Sequence, residues 1–242
     1  MKVITAHRSS VPWLVLVSRL ALFALAQALI AVALSLLGST DAWNESGRWW
    51  IFSAIATNTV SILILIRALR AEGKRFQDIV PFIRRSFRAD LFLSIGVFIL
   101  AAPIGTIPGN VLGEFLFGDP AVPVAMMFRP LPLWAVLIGI LFPLTIALSE
   151  LPTYFGYAMP RLEQNFGNGW PALALAALFL SLQHLTLPLI LDWRFIAWRS
   201  LMFLPFALYL GIVLKLRPRL LPYLMVSHFL IDMLALSTYF MR

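Results

Sequence analysis

Seven apolar runs constrain what this chain can become: 13–37, 49–66, 91–112, 131–150, 170–191, 195–214 and 220–240. Each is close to the length that a helix needs to cross roughly 30 Å of hydrocarbon at about 1.5 Å per residue. A membrane β-barrel would alternate in polarity over segments of about ten residues, and these runs are continuous. Composition agrees, with 61% of the 242 residues hydrophobic and 12% charged, against roughly half and a quarter in a soluble domain. The expected fold is all-α, a polytopic transmembrane helical bundle of seven spans, or eight if the third run crosses twice. Residues 1–242 read as a single integral membrane domain with no linker or repeat. Cysteine is absent, which removes disulfides, thiolate zinc sites and a thiol nucleophile.

The net charge of +8 raises the question of nucleic acid. The basic residues gather at the ends of the apolar runs instead, as orientation by the positive-inside rule requires. The expected partners are therefore membrane lipids and no nucleic acid. With the N-terminus inside, inner segments carry 13 basic residues: Lys2, Arg8, seven between 67 and 88, Arg161, Lys215, Arg217 and Arg219. Outer segments carry 5: Arg48, Arg129, Arg194, Arg199 and Arg242. This predicts a multi-pass protein of the bacterial cell membrane with a cytoplasmic N-terminus. The first run is too long for a signal peptide and has no convincing cleavage site. Its one charge, Arg19, is expected to snorkel to the interface.

Two further expectations concern backbone. Phe76, Ile79, Val80, Ile83 and Phe87 recur at helical spacing among cations, predicting an amphipathic basic helix near 72–88 that lies on an anionic leaflet. Pro103 and Pro108, with Gly105 and Gly109, predict a kinked or broken third span.

Ionisable side chains inside such runs are costly and need a reason for being there. Glu150, His184, His228 and Asp232 stand out. Glu150 and His228 each lie about 12 Å from the inner end of their spans, with Asp232 one turn beyond His228 on the same face. His184 comes out nominally deeper, at about 21 Å. If the four meet, a carboxylate can serve as general base and then acid, and a histidine beside it can orient a water. A second histidine, held by an aspartate, can donate to an oxyanion. Glu150, His184 and His228 are equally candidates for a divalent metal such as zinc, although they lack His-Glu-x-x-His spacing. A proton relay in a small transporter is a further alternative, weakened by the absence of paired broken helices.

The same residues resemble the CPBP intramembrane proteases, the family of CAAX prenyl protease type II and bacteriocin-processing enzymes. Glu150, Gly156-Tyr157 and Pro160-Arg161-Leu162 are similar to its first motif. The segment ending in His184 resembles the second, and His228-Phe229-Leu230-Ile231-Asp232 the third. The likeness covers roughly 130–240, so residues 131–242 read as a CPBP-like catalytic core and 1–130 as N-terminal spans. It implies an intramembrane endopeptidase acting on a membrane-associated peptide or protein. Glu150 and His184 would activate water, and His228 and Asp232 would form the oxyanion site. The first motif is altered, with Leu151 in place of its second glutamate and Phe155 in place of its arginine, as if an ion pair had become an apolar pair. The alternative is a catalytically inactive relative that acts as a membrane binding or immunity protein.

Overall fold

A computed structural model describes residues 10–239. Lys2, His7, Arg8 and Arg242 lie outside the described residues. Among those described there is no strand, and seven helical stretches are long and apolar enough to cross a membrane. The protein is an all-α, multi-pass membrane protein.

The first two spans are α1 (Val11–Leu36) and α3 (Trp50–Ala71), joined through the short α2 (Ala42–Arg48). The basic stretch that follows is not one helix. It contains a single turn, α4 (Phe76–Ile79), then extended residues, then a 3-10 turn at Arg84–Ser86. Pro81 is the reason: it has no N–H to donate, and it drives the preceding Val80 out of helical conformation (φ −121°, ψ 69°).

The third span is also a correction. Here α5 (Phe87–Phe117) runs unbroken for 31 residues with Pro103 and Pro108 inside it. Neighbouring helices donate to its backbone on either side of the proline pair: Tyr209 Oη to the Val97 carbonyl at 3.0 Å, and Trp198 Nε1 to the Gly109 carbonyl at 2.9 Å. Proline is tolerated in a membrane helix where such partners stand close. The third run therefore crosses once.

After α6 (Ala121–Met127), the fourth span is assembled from four pieces. These are α7 (Leu133–Gly139), α8 (Leu141–Leu151), a π-helical segment Pro152–Ala158, and α9 (Met159–Phe166). The first two of its three junctions fall where Pro143 and Pro152 each remove a backbone donor. Gly167, at φ 65°, then reverses the chain into α10 (Gly169–Leu182), whose last turn tightens to 3-10 over Gln183–Thr186. The sixth span is α11 (Trp193–Leu201) followed by α12 (Leu204–Leu216), and the seventh is α13 (Leu221–Ser237).

These spans close into a ring. Going round it, α1 packs on α3, α3 on α8, α8 on α13, α13 on α5, α5 on α11 and α12, and α12 on α10. The circuit closes where α1 meets the 3-10 turn after α10. The N-terminal spans are thus not a separate layer; they form part of the wall around the fourth span.

Candidate functional site

Glu150 ends the third turn of α8 and is 2% exposed. Its neighbours arrive by two matched pieces of helical arithmetic. Leu221, the first residue of α13, lies against Gly156. From that contact Glu150 is six residues back along the fourth span and His228 seven residues along α13, so both sit about 10 Å deep. His184 joins them because α9 and α10 form an antiparallel hairpin about Gly167. A symmetric hairpin sets Leu175 level with Met159, and from there His184 and Glu150 are each nine residues, about 13 Å, up their helices. The extra nominal depth of His184 is taken up by α9, which extends beyond the turn expected at Met159.

The side chains converge. The Glu150 Oε2 atom lies 3.8 Å from His184 Nε2, and Oε1 lies 3.5 Å from His228 Nε2. His228 Nε2 is also 3.1 Å from Asp232 Oδ2, one turn along α13. His184 Nδ1 is 2.8 Å from the Leu180 carbonyl. A carbonyl only accepts, so Nδ1 carries the hydrogen, and in the neutral ring Nε2 then presents its lone pair toward Glu150. Phe203 packs against the His184 ring at 4.2 Å and fixes its plane. All four residues singled out from the sequence therefore meet in one place.

The sequence reading missed what surrounds them. Arg19 does not snorkel; it is fully buried. Its Nε donates to Gln183 Oε1 at 2.6 Å and its Nη2 to Asn58 Oδ1 at 2.9 Å. Gln183 Nε2 in turn donates to Glu150 Oε2 at 2.5 Å. Ser149 and Thr145 bond to Asn58, and the Tyr154 hydroxyl reaches Gln183 Oε1 at 3.3 Å. Arg199, counted among the outer segments from sequence, is 5% exposed inside the sixth span. It donates to the Leu187 carbonyl and is electrostatically coupled to Glu150 and Asp232. A signal was present: Arg19 and Asn58 interrupt apolar runs just as Glu150 does, and the same penalty applies to them.

The positions of Leu151 and Phe155, where the sequence departs from the motif it resembles, are filled by packing. Leu151 and Phe155 are both buried in one apolar cluster with Leu173 and Leu210. Phe155 also lies so close to Gly211 that a Cβ there would approach its ring to 2.9 Å. Neither position has room for a charged pair without displacing that core.

Among the described residues no group of three or more His, Asp and Glu side chains is placed to hold an ion, and Glu150 already gives one oxygen to the Gln183 amide. A cavity of about 520 Å³ lies at the basic end of the bundle, lined by Gly156, Leu221, Ile79 and Arg161 among others. No protein-family model matches the chain, and no curated protein or solved structure is detectably similar to it.

Proposed function

We propose that the protein is an intramembrane endopeptidase of the CPBP type, hydrolysing a peptide bond of a membrane-associated peptide or protein that enters from the basic, cytoplasmic end. The observation that carries the reading is Glu150 bracketed by His184 Nε2 and His228 Nε2 within a closed ring of spans. Glu150 and His184 present two acceptors 3.8 Å apart. A water between them can donate one hydrogen to each, leaving an oxygen lone pair for the scissile carbonyl carbon. Glu150 takes the proton as the C–O bond forms and returns it to the leaving amine as the C–N bond breaks. His228 is held by Asp232, and its Nδ1 is buried without a partner. As an imidazolium it can donate through that nitrogen to the developing oxyanion.

A second reading has one observation in its favour. A cavity of about 520 Å³ sits at the basic end of the bundle, which suits an inactive relative that binds a peptide or a partner membrane protein there. The two readings separate on new peptide ends. In membranes of cells producing the protein, the peptidase reading expects ends present with the wild type and absent with Glu150→Gln and with His184→Ala. Ends that persist in both variants rule it out, and no difference among the three favours the binding protein.

A further inference from the structure

Arg19 is the least expected residue in this bundle: a guanidinium with no exposure and no carboxylate in direct contact, on a span outside the motif-bearing half. A buried cation normally has a counter-ion. The hydrogen bonds point to one. Arginine has only donors, so the Gln183 oxygen must face Arg19, and the amide cannot be turned round. Its NH2 group is then forced toward Glu150 Oε2, which must accept. Asn58 is fixed in the same way: its oxygen faces Arg19 Nη2 and its nitrogen faces Thr145 Oγ1 at 3.2 Å. Ser149 Oγ, beside Glu150 in sequence, donates to the same Asn58 oxygen. Bond direction therefore runs outward from Arg19, and the branch through Gln183 ends on the Glu150 carboxylate.

We propose that Arg19, acting through the Gln183 amide, holds Glu150 ionised and in one orientation, so that Arg19 and Gln183 are positioning residues of the site. A cation on the amide oxygen polarises the amide and strengthens its N–H donor toward the carboxylate. Other charged or titratable groups around Glu150 are His184 after α10, Arg199 on α11, His228 and Asp232 on α13, and Tyr154 on the π-helical segment. Of the two arginines, Arg199 spends its hydrogen bonds on the Leu187 carbonyl, whereas Arg19 reaches Glu150 through a single amide. The first motif's missing arginine is thus functionally replaced from a different span, while Phe155 fills its place with packing. The catalytic meaning of this arrangement rests on the peptidase reading; the charge state of Glu150 does not.

The test needs no substrate. Dicyclohexylcarbodiimide modifies protonated carboxyl groups in apolar surroundings and spares ionised ones. The full-length protein in detergent micelles at neutral pH is treated with it, and peptide masses report the adduct at Glu150, with Glu150→Gln as the blank. Wild type is expected to stay unlabelled. Arg19→Met and Gln183→Met should each gain about tenfold or more in labelling, the population change that goes with one lost charge-assisted hydrogen bond. Arg19→Lys, which keeps a donor-only cation, should remain close to wild type. A purely structural tie between α1, α3 and α8 would change unfolding temperature without changing labelling. Equal labelling of wild type and variants overturns the proposal, as does absence of labelling in folded variants. Labelling of Arg19→Met but not Gln183→Met overturns the amide relay. If Arg19→Met does not fold, Gln183→Met decides alone. A positive labelling result together with no peptide cleavage would sink the peptidase reading and leave the relay standing.

Discussion

Two of the arginine–glutamate arrangements in this bundle, Arg161 with Glu72 and Arg19 with Glu150, differ in where they sit. At the basic end Arg161 grips Glu72 directly, Nε to Oε1 at 2.7 Å and Nη2 to Oε2 at 2.5 Å. The Tyr157 hydroxyl adds a third bond at 3.1 Å, and the guanidinium lies 3.8 Å from the Tyr157 ring centroid. Glu72 keeps about a third of its side chain exposed, so water screens the pair and shares in solvating it. At mid-depth, Arg19 and Glu150 are both buried and never touch; an amide stands between them. The exposed clasp is better formed but worth little, because surface pairs are typically worth under about 1 kcal/mol. The buried arrangement carries a large desolvation cost, and packed apolar residues would have been the more stable choice. Retaining it makes sense only if the charges do something, and the clasp needs no such explanation.

The comparison can be broken from the buried side first. Glu150→Gln keeps shape and removes the proposed base, and should cost about 10²- to 10⁴-fold in the proposed peptide cleavage with the fold retained, measured as the rate of appearance of new ends in membranes. A loss under tenfold would mean that Glu150 only plugs the core. Asn58→Leu removes the acceptor for Arg19 Nη2 and Ser149. Stranding a buried charged donor should cost about 3 kcal/mol, read from chemical unfolding in detergent.

Smaller effects belong to the clasp. Glu72→Ala should lower stability by no more than about 1 kcal/mol, and the difference should shrink as salt is added. Its pH dependence has a definite sign. The hydrogen bonds and charge of Arg161 pull the Glu72 carboxyl down from 4.5 to about 2. A depressed carboxyl stabilises the fold above its unfolded value and loses that contribution as pH falls through the folded one. Wild type and Glu72→Ala should therefore differ by a constant amount at neutral pH and converge between about 4.5 and 2. A difference that grows on acidification would contradict the clasp.

What sequence could show divides along physical lines. Seven spans followed from run length, since hydrocarbon thickness fixes how long a crossing must be. The meeting of Glu150, His184, His228 and Asp232 followed from the cost of placing them in apolar runs. The interior role of Arg19 did not follow, because a long side chain in a span can turn to water or into the bundle, and only the partners on α3 and after α10 decide which. The unbroken α5 was hidden for a similar reason: the partners Tyr209 and Trp198 come from a hundred residues away. The basic stretch was misread in the other direction. Its helical periodicity was real in the spacing of Phe76, Ile79 and Ile83, but the local veto of Pro81 outweighed it.

One measurement reaches the central claim directly. Membranes containing the protein are incubated in water enriched in heavy oxygen, and the new C-termini of cleaved peptides are weighed. Water activated by Glu150 and His184 predicts one heavy oxygen in each new carboxylate with the wild type, and no cleavage with Glu150→Gln or His184→Ala. Heavy-oxygen ends appearing undiminished in both variants would show that the hydrolysis belongs to another site.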